Sequence, residues 1–258
     1  MGHDCTPGSA LPEATERQGI CAIVGAGEGL GAALAERFAR GGYDIALISR
    51  SEESCAAARN AVRAGRPTTR VWHRSADATQ PASLERTLSS LSADIGPIDV
   101  LIYNVRGEFT KCDPLDMTYD RMEDTFRLEV VGAFAAAKAL LPEMRARGHG
   151  TFFFSSATAA FRGSATHPAY AIGKFGLRAL SQSLTKAYAK DGVHIVHVRL
   201  DCDLDVPIMQ GIYGTARDKA ALADPNDVAE TYWLTLQQPK GAWSNEVEIR
   251  PHTETWTY

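Results

Sequence analysis

The chain alternates short apolar runs with longer segments whose apolar residues recur at helical spacing. The first run, Gly19–Val24, ends at a cluster of glycines, and Leu30–Arg40 then places an apolar residue at every third or fourth position with charged residues between. A short apolar run predicts a buried strand, and a period near 3.6 predicts an amphipathic helix. The folded region is therefore predicted to begin with a strand followed by a helix.

The same alternation repeats along the rest of the chain. Further strands are predicted at Asp44–Ser49, Thr69–Arg74, Ile98–Tyr103, Thr151–Phe154, Val193–Leu200 and Val247–Ile249. Further helices are predicted at Ser51–Ala64, Pro81–Ala93, Thr118–Arg147, Pro168–Lys190 and after Asp224, the expected N-cap in front of Pro225. Strands separated by helices need crossover connections, so neighbouring strands should run parallel.

A parallel sheet needs helices on both faces, because both faces are apolar. We therefore predict an α/β protein with a single doubly wound Rossmann-type domain and a parallel sheet of about seven strands. Residues 19–258 should form this dinucleotide-binding catalytic domain. Residues 1–18 are polar and contain two prolines, which indicates a mobile tail. The segment around residues 203–223 is predicted to be a mobile lid.

Composition narrows the function. The 258 residues carry 27 Lys and Arg against 31 Asp and Glu, a formal net charge of −4, which argues against a nucleic-acid partner. No apolar run approaches the roughly 18 residues that a membrane span needs, so we expect no membrane partner. The five cysteines are scattered without a Cys-x-x-Cys pair, which favours a reduced, cytoplasmic location and no metal site.

The first strand leads into the glycine-rich loop Gly25–Gly31. Glycines allow a sharp turn and let a pyrophosphate approach the backbone, while the following helix directs its positive end at the phosphate. A glycine cluster alone is also compatible with a merely flexible turn. Its place between a strand and a helix favours dinucleotide binding.

The end of the second strand indicates which dinucleotide is bound. An acid at this point binds the ribose hydroxyls of NAD, whereas an arginine accommodates the 2′-phosphate of NADP. Here the strand ends at Ser49 and Arg50, and no acid occurs before Glu52. We therefore predict NADP(H) in preference to NAD(H), the alternative being that Arg50 is an ordinary solvated surface residue.

Tyr170 and Lys174 lie four residues apart in a predicted helix and so share one face. A nearby cation lowers the pKa of a phenol, which can then give a proton to a carbonyl oxygen or take one from an alcohol. The spacing alone is common, and two unrelated surface residues are the alternative.

The chain as a whole resembles the short-chain dehydrogenase/reductase family from about Gly19 to the C-terminus. The residues that carry the resemblance are the glycine loop, Asp77, Asn104, Ser155, Ser156, Tyr170 and Lys174. It implies that Gly25, Gly29, Leu30 and Gly31 hold the pyrophosphate, Asp77 and Ala78 contact adenine, and Asn104 lines the cofactor. It also implies a catalytic set of Ser156, Tyr170 and Lys174, in which the serine binds the substrate oxygen and the lysine holds the nicotinamide ribose and lowers the pKa of the tyrosine.

Several positions depart from the pattern of that family. Arg106 stands where a glycine is usual, and it either turns outward or binds an anion or oxygen at the pocket mouth. Glu129 stands where an asparagine usually organises a proton-relay water. Ser156 lies one residue farther from the tyrosine than is usual, so Ser155 remains an alternative.

The segment after the sixth strand departs as well. Asp201, Asp203 and Asp205 alternate there, but the glycine turn and distal glutamate of a calcium loop are missing. Part of the negative charge, at Glu28, Glu129 and Asp201, is expected near the anionic cofactor.

These observations favour an NADP(H)-dependent oxidoreductase that interconverts a small-molecule ketone and a secondary alcohol. Two alternatives remain open: a non-redox isomerase or lyase on the same fold, and an NADP(H)-binding protein with weak catalysis. The family resemblance implies a homodimer or homotetramer that associates through the helices containing Glu129 and Tyr170.

Overall fold

The structure, a computed structural model, describes residues 18–207, 209 and 221–253. Its main sheet has seven parallel strands, which are β1 (Gly19–Val24), β2 (Tyr43–Ser49), β3 (Val71–Ser75), β4 (Val100–Tyr103), β5 (Gly150–Ala157), β6 (Val193–Leu200) and β9 (Glu246–Ile249). Their spatial order is β3-β2-β1-β4-β5-β6-β9. Two short strands, β7 (Asp203–Leu204) and β8 (Leu222–Ala223), pair separately. The predicted doubly wound fold is thereby confirmed.

The helices are α1 (Leu30–Arg40), α2 (Ala56–Gly65), α3 (Pro81–Ile95), α4 (Tyr119–Phe126), α5 (Gly132–Arg147), α6 (Pro168–Tyr188) and α7 (Pro225–Leu236). The prediction of a long helical region over Thr118–Arg147 agrees with the structure, in which a π-helical turn at Arg127–Val131 joins α4 to α5. A π turn accommodates one extra residue, which hydrophobic periodicity does not register. The predicted N-cap of α7 is confirmed, since the Asp224 side chain accepts a hydrogen bond from the Asn226 N–H.

The apolar strands are buried on both faces. In β1, Ile20 and Val24 belong to a core cluster shared with α3, α5 and α6, whereas Cys21 and Ile23 belong to a second cluster shared with α1, α2 and α7. Successive side chains of a strand point to opposite faces, so each face of the sheet receives one layer of helices. This two-sided burial fixes the register of the strands.

The carboxyl ends of β1 and β4 form the switch point of the sheet. The chain leaves β1 toward β2 on one side, while β4 lies on the other. Gly25 N–H donates to Ile48 O at 2.9 Å, and Asn104 N–H donates to Val24 O at 2.8 Å. Ligands of open α/β sheets bind in the crevice at such a point, so the fold places the expected site here.

Two predicted segments lie largely outside the described residues. Of the predicted tail, only Gln18 is described, and of the predicted lid, only residues 203–207, 209 and 221–223. Within the described ranges, no helix is both long and apolar enough to cross a membrane.

Candidate active site

A cavity of about 480 Å³ opens at the switch point. It extends from the loop after β1 to the first turns of α6. The predicted site residues that line it are Gly25, Leu30, Gly31, Asn104, Ser156, Tyr170 and Lys174. The structure therefore brings both ends of the expected site, which are far apart in sequence, to one cavity.

Other predicted residues lie on the same edge of the sheet but outside this cavity. Gly29 lines a smaller neighbouring pocket, and Ser49 and Arg50 lie at the end of β2. The Ser49 hydroxyl donates to Ser51 O, whereas Arg50 is exposed and no described residue pairs with its guanidinium. Asp77 and the buried Ala78 follow β3.

The Asp77 carboxylate is engaged within its own turn. Its Oδ1 accepts hydrogen bonds from the Thr79 N–H and hydroxyl, both at 2.8 Å. One carboxylate oxygen therefore holds the turn in front of α3, and the second oxygen remains for another donor.

The glycine loop is shaped by the absence of side chains. Gly25 and Gly29 have φ values of +84° and +77°, a region that favours glycine. A Cβ at Gly25 would lie 2.7 Å from Asn104 O. The first turn of α1 has no acidic residue and no side-chain cap, so its N–H groups are available to an anion. These residues fit the pyrophosphate of a dinucleotide.

Tyr170 and Lys174 are both buried on α6. The Lys174 Nζ lies 5.6 Å from the centre of the Tyr170 ring. It also lies 2.8 Å from Glu129 Oε2 and donates to Ser155 O at 3.3 Å and to Val105 O at 3.4 Å. The ammonium thus donates to two backbone carbonyls and forms a close ion pair with one carboxylate oxygen.

Burial raises the pKa of Tyr170; Lys174 lowers it and Glu129 raises it, and the balance lies above the ordinary value. For Lys174, burial is the largest influence and lowers the pKa, but the Glu129 carboxylate and the Tyr170 phenol together outweigh burial, and the pKa is raised. Lys174 lowers the pKa of the phenol, as expected, but burial raises it by more and Glu129 opposes the lysine, so the net shift is upward.

Glu129 lies in the π turn and is completely buried. Its Oε1 accepts the Gly107 N–H at 2.7 Å, while Oε2 contacts Lys174. In the same turn, Leu128 O accepts the Tyr103 hydroxyl at 2.6 Å. The glutamate therefore pairs directly with the lysine, and the turn that presents it is secured by a buried phenol.

The two adjacent serines of β5 face opposite sides of the sheet. Ser155 Oγ is 2.9 Å from the buried Tyr232 hydroxyl. Both serines line the cavity, but the buried Ser156 hydroxyl has no hydrogen-bond partner among the described residues. A buried hydroxyl without a partner is costly, so Ser156 is the serine available to a ligand.

Sequence reasoning missed an aromatic wall of the cavity. The Phe109 and His167 rings stack at 4.0 Å with an 8° interplanar angle, and Phe109 meets the Tyr170 ring edge-on at 5.2 Å. Arg106 also lines the cavity; its guanidinium carbon is 6.0 Å from the Phe109 ring centre and its Nη1 is 3.7 Å from Met209 Sδ. The one sequence feature that could have indicated this wall is the aromatic residue Phe109 in the loop after β4.

Asp201 lies outside the cavity, contrary to its expected place near the cofactor. Its carboxylate contacts the Thr158 hydroxyl and the Arg250 guanidinium. The side chain therefore links β5, β6 and the C-terminal segment. Among the described residues, no group of three His, Cys, Asp or Glu is arranged to hold a metal ion.

Comparison with known proteins agrees with this geometry. A sequence profile described as short chain dehydrogenase matches residues 20–202. An uncharacterised oxidoreductase of Staphylococcus epidermidis is 24% identical over 235 residues, which cover 91% of this chain and 98% of the relative.

Solved structures show the same fold. A short-chain dehydrogenase from Rhodopseudomonas palustris is 30% identical, with a TM-score of 0.77 over 92% of this chain and 100% of the other. L-sorbose reductase from Gluconobacter frateurii, solved in complex with NADPH and L-sorbose, is 19% identical, with a TM-score of 0.79 over 92% and 97% of the two chains. Because the sequence profile covers most of the chain, from β1 to the end of β6, the chain belongs to the short chain dehydrogenase family of oxidoreductases.

Proposed function

We propose that this protein is an NADP(H)-dependent oxidoreductase that interconverts a small-molecule ketone and a secondary alcohol. Tyr170 is the proton donor and acceptor, Lys174 is its electrostatic partner, and Ser156 binds the substrate oxygen. The observation that carries the proposal is one cavity that joins the glycine loop to Tyr170, Lys174 and the unpartnered Ser156 hydroxyl.

A nicotinamide cofactor, when bound, supplies or accepts the hydride. The chain contributes the N–H groups of the first turn of α1 to the pyrophosphate. Arg50, exposed and without a described partner, is available to a 2′-phosphate. NADPH in the sorbose reductase complex supports the same choice, whereas the lack of an acid at the end of β2 disfavours NAD(H).

The walls of the cavity indicate the substrate class. Apolar and aromatic side chains form much of these walls, beside polar and charged ones such as Arg106, His167 and Asp203; the apolar and aromatic ones are Val105, Phe109, Leu200, Leu204, Val206 and Met209. A mostly apolar pocket with a few converging polar groups suits a small organic molecule. The two hydroxyls of Ser156 and Tyr170 can both donate to one carbonyl oxygen, which suits a ketone.

The decisive experiment replaces Tyr170 by Phe and follows NADPH oxidation with a panel of ketones. Turnover should fall by about 10²–10⁴-fold because the proton donor is lost, while NADPH binding measured by fluorescence should persist. Tyr119→Phe is the matched control, since Tyr119 is 86% exposed on α4. Undiminished turnover in Tyr170→Phe would remove the tyrosine from the mechanism, and turnover without any cofactor would favour a non-redox isomerase or lyase.

Cofactor choice is tested at Arg50. Arg50→Ala should weaken NADP(H) binding by about ten-fold, through loss of a charge-assisted contact to the phosphate, and leave NAD(H) binding unchanged. Arg63→Ala, on the exposed side of α2, is the control. Equal losses for both cofactors in Arg50→Ala would refute the NADP assignment.

We also propose a homodimer or homotetramer formed through α4, α5 and α6. Exposed apolar side chains on these helices include Phe126, Phe134, Ile172 and Phe175, and such patches mark association surfaces. Sedimentation should show that Phe134→Glu dissociates the assembly, while Leu234→Glu, at an even more exposed apolar position on α7, does not.

A further inference from the structure

Glu129 connects three separate parts of the fold. It projects from the π turn between α4 and α5, it contacts the Lys174 ammonium of α6 at 2.8 Å, and it accepts the Gly107 N–H of the loop after β4 at 2.7 Å. The exposed fractions of the two charged side chains are 0% and 2%. This buried ion pair, together with the hydrogen bond from Gly107, is a fixed arrangement, because either charge alone would be strongly destabilised.

The surrounding backbone leaves space for this carboxylate. A Cβ on Gly173, which lies between the tyrosine and the lysine of α6, would come within 2.9 Å of Glu129 Cγ. A Cβ on Gly107 would come within 3.1 Å of Glu129 Oε1. Real Cβ atoms avoid such distances, so both glycines fit the glutamate, and the site accommodates an acid at this position.

Charged side chains from several neighbouring elements surround the Tyr170 hydroxyl. Lys174 of α6 and Arg106 of the loop after β4 are positive, whereas Glu129 of the π turn and Asp203 of β7 are negative. The loop before α6 adds Arg162 and the His167 imidazole at the cavity wall. Of these groups, Lys174 and Glu129 are the fully buried pair, and buried charges act through the weakest screening.

We propose that Glu129 is a positioning residue which, by compensating Lys174, acts together with the burial of Tyr170 to keep the phenol protonated at neutral pH and so sets the pH range in which each direction of the reaction runs. The site then gives a proton to a carbonyl oxygen at neutral pH and takes one from an alcohol only in more alkaline solution. This inference rests on the proposed role of Tyr170 as the acid and base.

In the reductive direction, the carbonyl carbon receives a hydride, with its two electrons, from the reduced nicotinamide, which is oxidised. The carbonyl oxygen receives the proton of the Tyr170 hydroxyl, and the phenolate regains a proton from water. Forming that phenolate beside a neutral Lys174–Glu129 pair costs more than forming it beside a lone ammonium, which is why the pair favours the protonated phenol.

A titration without substrate tests the inference separately from the proposed function. The tyrosinate absorbance that belongs to Tyr170 is obtained by subtracting the titration curve of the Tyr170→Phe variant. In Glu129→Gln, compared with Glu129→Gln/Tyr170→Phe, this signal should appear about one pH unit or more lower than in the parent protein. Glu123→Gln, an exposed position of α4, should leave the signal unchanged. The same titration in Glu129→Gln and in the parent would overturn the inference.

A second comparison does not require Glu129→Gln to fold, and its double variant buries no unpaired charge. Lys174→Met/Glu129→Gln removes both charges, whereas Lys174→Met retains only the carboxylate. Tyr170 should titrate at lower pH in the double variant than in the single one. Equal titration in both would overturn the inference.

Activity provides the third readout. With a ketone and its alcohol identified, the pH profiles of reduction and oxidation should both shift to lower pH in Glu129→Gln, and unshifted profiles would overturn the inference. Absence of turnover in the parent protein, with a normal titration shift, would instead refute the proposed function and leave the electrostatic role of Glu129 intact.

Discussion

The two ends of the cavity are built in opposite ways. At the glycine loop, the backbone itself is the binding surface, and Gly25 and Gly29 adopt positive φ values so that no side chain intervenes. At the other end, buried ionised side chains define the chemistry, with Lys174 and Glu129 2.8 Å apart. The first end depends on glycines within one stretch of sequence. The second end forms only when three segments that are distant in sequence come together.

The largest effect should come from breaking the buried ion pair. Lys174→Met leaves the Glu129 carboxylate buried without its cation, which should lower the free energy of unfolding by about 3–5 kcal/mol. Chemical denaturation measures this loss. Lys138→Met, which breaks an exposed pair with Glu85 at 3.3 Å, should cost less than about 1 kcal/mol.

The double variant Lys174→Met/Glu129→Gln should recover most of the stability, because no unpaired charge remains. If Lys174→Met were no more destabilising than Lys138→Met, buried ionised side chains would not be the feature that distinguishes this end of the cavity from the glycine loop.

The serine pair should separate catalysis from stability. Ser156→Ala should reduce turnover by about 10²–10³-fold, as for a donor to a developing oxyanion, with little change in stability. Ser155→Ala should instead cost about 1–3 kcal/mol, because the buried Tyr232 hydroxyl loses its partner, while turnover is retained. Rate assays and thermal unfolding of the two variants measure this contrast, and the reverse pattern would assign the substrate-facing hydroxyl to Ser155.

At the glycine loop, the expected loss of stability is no larger than that of Ser155→Ala. Gly25→Ala places a Cβ 2.7 Å from Asn104 O at a φ of +84°, which should cost about 1–3 kcal/mol and weaken cofactor binding. Gly27→Ala is the matched control in the same loop, since no atom lies within 4 Å of its Cβ. Differential scanning calorimetry compares the two, and equal stabilities would mean that the loop yields to a side chain at either position.

Much of the fold is predictable because its signals are local. The bounds of β1, α1 and β6 agree with the sequence prediction, since each apolar run is followed by glycine or charged residues that end it. The fifth strand shows the limit: it was predicted to end at Phe154 but continues to Ala157. Serine side chains do not extend the apolar pattern of the strand. The sequence therefore did not predict the last residues of β5, which place Ser155 and Ser156 on opposite faces of the sheet.

The site was predictable where a motif lies within one element, as for Tyr170 and Lys174 on α6. The ion pair was not, although Glu129 stood out as a departure from the family pattern. Whether that carboxylate holds a water or contacts the lysine depends on the π turn at Arg127–Val131, and this turn depends on tertiary contacts such as the Tyr103 hydroxyl on Leu128 O. Its effect on the pKa of Tyr170 could therefore not be read from spacing.

Gly173 has a consequence for how this site could change over generations. A Cβ there would come within 2.9 Å of Glu129 Cγ and 3.0 Å of Thr125 Cγ2, so a side chain at position 173 requires both neighbours to change or shift. A shorter residue at position 129 relieves only part of this crowding, since Glu129 Cβ is itself 3.1 Å away. The three positions are therefore expected to be epistatic, and libraries that vary them together should recover functional combinations that single-site scans miss.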